Sequence, residues 1–561
     1  VYSKRVLMKE QITMPMIRCG TKCGKAEKGF TRWQLREAVF LIFAVPFLLP
    51  LFDLFMAWGD MGALWKSPAG GVRLFKIMGN SALLSLCCGL VAVCLGCPAG
   101  ILAAVSGERI RLAIGASSLM LFVIPSNVLV VGLLTLAYYI PALDVFLYSF
   151  IGAALIQGWA LSPLVFFPVY MATRSFPREW NDMGLLDSGR SGLMLRLWFP
   201  LAAVPALMGG GLAILLSYGD FVIPDILFSR NPRFGMVFST EIQAAFAGFF
   251  DLERARRLGA LFIPFPIAIA AGLLFLLPRF HETRGLDAHT VAEAAAPKPH
   301  RERFDFVKFA VSIFPFMSSL LLMISLAALA WMLLRDASAW KAVWRSASDE
   351  LFGSLIVCGL CAAFILFAGI LMSSLLLMRR NGRRGAPSPG LAVFGFSALL
   401  SYFLPGSIAG VFLLRIFSVP HFADLRSTVI PLIALYFLRG AGLALPIILI
   451  SAAAVPEERI ALAQTDGCRF WGRIRHVLAP SCWRFWLAAF MLVFPVLMGE
   501  TAGAMIVSPP GYTPLSVRIQ TVMHYGPGAY VSVLCLMSAA SALSVVAAAG
   551  YVFRKGLFIT E

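Results

Sequence analysis

Three ionisable residues stand inside long apolar stretches: Asp220 in SYGDF, Glu500 in MGETAG and Arg439 in ALYFLRGAG. A charge in such surroundings is costly unless it faces a cavity or a partner, so each marks a polar meeting point. Asp220 and Glu500 are 280 residues apart, a pairing that suggests a shared role. They form the rim of a gate or pathway, or they are buried acids bonded to a neighbouring helix. Arg439 has Trp159 as its counterpart at the same offset, so it is one-sided. It either meets an anionic ligand group or pairs with Glu500. Other chemistries lack their residues. The stretch Gly20-Thr-Lys-Cys-Gly24-Lys25-Ala26 misses the Walker A spacing and has no Ser or Thr after Lys25, so this chain is not an ATPase. No His-Glu-x-x-His and no nucleophile elbow occurs, and the six histidines are scattered. Cys94-x-x-Cys97 and Cys358-x-x-Cys361 lie in apolar runs without a second pair or a histidine, and read as packing residues. No metal site or resident cofactor is expected.

The elements that must hold these residues are membrane helices. Of 561 residues 59% are hydrophobic, and the mean hydropathy is +0.83, which excludes a soluble domain. A span needs about 20 apolar residues. Twelve stretches qualify: 37–58, 77–105, 112–138, 148–173, 200–228 and 257–278, then 306–334, 351–378, 391–417, 428–454, 481–508 and 529–553. The expected fold is therefore all-α and polytopic. It divides into a basic tail 1–36, a first six-span unit 37–278, a polar Ala/Pro-rich linker 279–303 and a second six-span unit 304–561.

The two units look like one repeated. Ala99-Gly100-Ile101-Leu102 recurs as Ala368-Gly369-Ile370-Leu371, and Pro125 recurs as Pro405. An even number of spans per unit makes the two parallel, with an axis along the membrane normal. The runs Phe122–Asn127 and Phe403–Ser407 combine aromatic residues with proline, and are expected to kink helices around a pore.

Between the apolar runs lie two polar elbows. Pro456 suits a first helical position and Glu457 and Glu458 suit the positive end of the helix dipole. Asp466-Gly467 breaks that helix. A second helix follows, with Phe470, Trp471, Ile474, Val477 and Leu478 expected on one face and Arg469 and Arg473 on the other. A twin runs from Pro177 to Pro200, and Asp187 and Asp466 are 279 apart.

These elbows resemble the EAA loop of binding-protein-dependent ABC importer permeases. In the second, Ala461-Leu462-Ala463 stands for E-A-A, Gly467 for the glycine, and Val477 with Ala479-Pro480 for I-x-L-P, but the Glu is missing. In the first, Asp182-Met183-Gly184 stands for E-A-A and Ser188 for the glycine, and Pro200 comes one residue early. The resemblance covers nearly the whole chain. It implies the transmembrane domain of a type I importer, with two ATPase subunits carrying ATP docked at the elbows. Asp182, Gly184, Asp187, Ser188, Ala461, Ala463, Asp466 and Gly467 then form the coupling surface, and Asp220, Arg439 and Glu500 the pathway. It also implies a periplasmic binding protein and a place in a bacterial inner membrane. Among such permeases the chain is most similar to fused ferric-iron transporters, then to thiamine and polyamine types. A second function class, an ion-coupled secondary carrier with parallel halves, needs more relay residues in mid-membrane and leaves the elbows unexplained. A membrane-embedded enzyme lacks a catalytic cluster.

The net charge of +18 does not point to nucleic acid. With both termini inside, about 32 of the 47 Lys and Arg fall in cytoplasmic segments, the positive-inside asymmetry near anionic lipid. No short apolar core follows the basic start, so no cleaved signal peptide is expected.

Overall fold

The computed structural model describes residues 29–60, 62–65, 68–174, 196, 198–229, 236–283, 306–377, 389–526 and 528–557. All regular elements among them are helices. The longer ones in the first part of the chain are α1 (Gly29–Ala57), α2 (Pro68–Val105), α3 (Glu108–Val123), α4 (Ser126–Ala137), α5 (Pro141–Leu147), α6 (Phe150–Leu161), α7 (Pro163–Arg174), α8 (Phe199–Gly219), α9 (Val222–Phe228), α10 (Phe238–Ala247), α11 (Leu252–Phe262) and α12 (Pro264–Thr283). The second part holds α13 (Phe306–Arg335), α14 (Ser338–Leu377), α15 (Pro389–Phe403), α16 (Gly406–Phe417), α17 (Ile430–Ala453), α18 (Glu457–Thr465), α19 (Phe470–Arg473), α20 (Ala479–Met498), α21 (Ala504–Val507), α22 (Leu515–Met523) and α23 (Gly528–Leu557).

Among the described residues, nine helical stretches are long and apolar enough to cross a membrane, and up to twelve if each sharply bent pair counts as one span. The architecture is that of a multi-pass membrane protein. Both aromatic-proline runs bend as expected: α3 meets α4 at 99° and α15 meets α16 at 108°. The physical cause is the same in each. Pro125 and Pro405 carry no N–H and hold an extended ψ, which stops one helix and caps the next. A third bend, 80° between α5 and α6, falls at the start of the fourth expected stretch, and α5 lies before it.

Several boundaries differ from expectation. The helix of the first span already begins at Gly29, inside the basic tail, and α12 runs on to Thr283, inside the expected linker. The fifth stretch ends at Gly219 rather than 228, and the eleventh at Met498 rather than 508, because Asp220 and Glu500 leave the helix. An amphipathic segment, Ser338–Glu350, extends α14 toward its N-terminus.

The first helix of each part packs on a bent helix of the other. Helix α1 lies along α15, with Phe40 and Phe47 against the ring of Phe394 at 6.0 and 6.1 Å. Helix α13 lies along α4, where Ser325 Oγ donates to the Leu129 carbonyl at 3.0 Å. Gly132 permits that approach, since a Cβ there would strike Ser325. At one end of α1, Asp53 joins Arg256 of α11 and Arg415 of α16 in an ion-pair cluster.

Candidate functional site

The turns that interrupt the helices converge on one cavity of about 210 Å³, lined from both parts of the chain. Asp220, Arg439 and Glu500, singled out in the sequence, all line it.

Asp220 follows the last turn of α8. Its Oδ1 accepts from the Val222 N–H at 3.1 Å, and its Oδ2 from Gln157 Nε2 at 2.9 Å. Its backbone carbonyl accepts from Ser239 Oγ at 2.6 Å. Glu500 stands in a parallel setting after α20. Its Oε1 accepts from the Gly503 N–H at 3.1 Å, and its carbonyl from Ser516 Oγ at 2.9 Å. Each acid thus accepts from an N–H at the start of the short helix that follows it, a placement the helix dipole favours. Both acids are bonded to neighbouring elements, and both border the cavity.

Arg439, in the middle of α17, donates from Nε to Glu500 Oε2 at 2.8 Å. Its Nη1 donates to the carbonyls of Tyr402 and Leu404, each at 2.6 Å. Those carbonyls belong to the end of α15, where the bend leaves acceptors without intrahelical donors. The guanidinium also lies over the Tyr402 ring, 5.6 Å from its centroid. So Arg439 neutralises a buried acid and closes a broken helix end in one stroke. Its Nη2 has no protein acceptor among the described residues. The counterpart Trp159 instead donates from Nε1 to Ser318 Oγ at 2.9 Å.

Gln157 is a site residue that the sequence reading missed. It is buried, and its Oε1 has no partner among the described residues. A polar residue in the apolar run Phe150–Leu161 was the available signal. The reciprocal contacts at the cavity were missed as well. Gly219 sits against Pro405, and a Cβ there would meet the ring at 3.1 Å; Gly499 sits against Pro125, at 3.4 Å. Gly406 passes so close to the Glu500 carboxylate that no side chain fits between them.

The elbow 456–480 forms at the opposite end of α20. Helix α18 ends as its composition predicts. Gly467 adopts φ +68°, and the Cys468 N–H reaches back to the Ala463 carbonyl at 2.9 Å, the bond of a Schellman cap. Ala461, Asp466 and Gly467 are exposed, whereas Ala463 is buried against the body. Asp182, Gly184, Asp187 and Ser188 lie outside the described residues. One expectation for the second elbow helix is corrected. Val477 and Leu478 are buried, but Trp471 is 64% exposed. A wide π-type turn over Ile474–Leu478 links α19 to α20 and re-registers the apolar face, so a 3.6-residue period assigns Trp471 to the wrong side. Leu462, 63% exposed, adds a second apolar side chain to this surface.

The described cysteines are free thiols. In comparisons with known proteins, the sequence matches no family model, and no curated protein matches it.

Proposed function

We propose that the chain is a fused permease of an ABC importer, with two six-helix halves related by an approximate two-fold axis through the cavity. The observation that carries this reading is reciprocity across the cavity. Gly219 meets Pro405 while Gly499 meets Pro125, both at an offset of 280. Likewise the first helix of each part packs on the bent pair of the other, α1 mainly on α15 and also on α16, α13 mainly on α4 and also on α3. A further equivalence supports the relation: the Phe238 N–H donates to Ser81 Oγ at 2.7 Å, and the Leu515 N–H to Ser354 Oγ at 2.9 Å. A path on such an axis opens and closes when the halves rock against each other.

The elbow supplies the drive. Exposed Leu462 and Trp471 stand at the surface on either side of the Gly467 turn, and α19 continues through the π-turn into α20 without a break in the chain of helix. Two separate ATPase subunits, closing on ATP, would move the elbows together. Helix α20 would carry the motion to Glu500, at the cavity wall. The residues proposed for coupling are Ala461, Ala463, Asp466 and Gly467, with Asp182, Gly184, Asp187 and Ser188 in the twin.

The proposed cargo is ferric iron, delivered by an external binding protein. Asp220 and Gln157 Oε1 offer hard oxygen ligands at the wall, enough to pass a hard cation without retaining it. The test is to purify the binding protein encoded beside this chain and measure its ligand. Tight binding of ferric iron is expected. Binding of thiamine or a polyamine, with none of iron, would remove the iron assignment. Failure of the chain to co-purify with any ATPase would remove the importer reading itself.

A further inference from the structure

Away from the cavity, the two halves touch through short helices that carry polar side chains. Gln520 of α22 donates from Nε2 to Asp225 Oδ2 of α9 at 2.7 Å. His524, just past α22, places Nε2 3.2 Å from the same oxygen. The equivalent contact on the other side of the axis is different in kind. Among the described residues Gln243 Nε2 of α10 reaches only Met505 Sδ, at 3.8 Å, and the position matching His524 is Ala247. Among the described residues, a histidine tie therefore exists at α22 and not at its counterpart α10.

The surroundings isolate this pair. Helix α22 packs on α23 and α14. From those elements, Glu350 of α14 pairs with Arg518 at 3.8 Å, and Tyr530 of α23 bonds to Arg518 at 3.4 Å. Neither turns to His524, and neighbouring Tyr525 is exposed. Among the described residues Asp225 is the one acid within ion-pair distance of the imidazole. His524 is 42% exposed and Asp225 29%, so protons reach both from solvent.

We propose that Asp225, Gln520 and His524 form a proton-sensitive latch that clamps α9 of one half to α22 of the other, at the end of the bundle remote from the elbow 456–480. Gln520 supplies a hold that does not titrate, and His524 adds a charge when protonated. The hydrogen bond and charge of Asp225 hold the His524 pKa above its ordinary value of about 6.5. The added hold is therefore fully present below about pH 6.5 and is lost as pH rises past the raised value. Acid on that face keeps the halves together, and alkali leaves Gln520 alone. Its service as a gate rests on the transport reading, whereas the latch itself does not.

Hydrogen exchange by mass spectrometry on the full chain in lipid nanodiscs tests it. Peptides from α9 and α22 are compared between wild type and His524→Gln at one pH at a time, which cancels the intrinsic rate change. At about pH 5.5, a unit below the ordinary imidazole value, the variant should exchange about two- to five-fold faster, the range a half-exposed ion pair supports. At about pH 8.5 the two should coincide. Asp225→Asn is the second variant, and should likewise lose the acid-dependent protection if His524→Gln does not fold. Equal ratios at both pH values in whichever variant folds would overturn the latch. Absence of ATP-driven import by the wild-type chain with its ATPase, with the exchange pattern intact, would instead count against the proposed function and leave the latch standing.

Discussion

Replacing Arg439 tests whether the ion pair at the cavity wall is a coupled unit. Arg439→Met keeps the stem's length and removes three donations: one to Glu500 and two to the end of α15. The Glu500 side chain is 6% exposed and that of Arg439 15%, so solvent offers little relief. Leaving one buried charge without its partner costs about 3–5 kcal/mol. Glu500→Gln keeps an amide oxygen for the Gly503 N–H but strands the Arg439 charge in turn, and should likewise cost about 3–5 kcal/mol. In the double variant no charge is stranded, and the remaining loss is mainly the two unpaired carbonyls. The double should therefore be more stable than the sum of the singles by about 2 kcal/mol, within the span seen for contacting residues. Reversible unfolding in mixed micelles, followed by tryptophan fluorescence, gives the four free energies of the cycle. A coupling energy under about 0.5 kcal/mol, the scatter of independent sites, would refute the argument.

Other predictions follow from single positions. Gly467→Val places a β-branched residue at φ +68° where nothing lies within 4 Å, so the penalty is backbone strain of about 1–2 kcal/mol and not a clash. The variant should insert normally but uncouple ATP hydrolysis from transport in proteoliposomes, and wild-type transport with normal stimulated hydrolysis would count against the elbow. Gly406→Ala drives a methyl group into the Glu500 carboxylate and should destabilise by about 1–3 kcal/mol. Gly395→Ala, in open space on the preceding helix, should stabilise by about 0.5–1 kcal/mol, so equal effects of the two would contradict the packing described. Cysteines placed at positions 190 and 469, after replacement of the native thiols, should resist labelling from outside intact cells; ready labelling would invert the proposed topology.

The broad architecture was legible in the sequence because hydropathy and helix breaking are local. Twelve apolar runs were expected, and nine spans, or up to twelve with each bent pair as one, stand among the described residues; the fourth run, 148–173, covers α6 and α7 rather than the bent pair α5–α6. Pro125, Pro405 and Gly467 act through their own backbone geometry, so their turns appeared where their chemistry placed them. The cost of a charge in an apolar run also needs no partner to be recognised, which is why Asp220, Arg439 and Glu500 stood out. Only the tertiary structure decided what these residues touch. In a membrane the lipid-facing and protein-facing sides of a helix are equally apolar, so periodicity does not reveal the buried face. Helix α13 shows this: Leu322 and Leu329 are buried, while Phe316 and Met323 are about two-thirds exposed, with nothing in residue type to separate them. Trp471 was misassigned because the π-turn alters the register downstream of it. Gln157, Tyr402 and the reciprocal glycine–proline contacts became a site only when distant turns met around one cavity. The same holds for Asp225 and His524, 299 residues apart, whose pairing depends on how one half is set against the other.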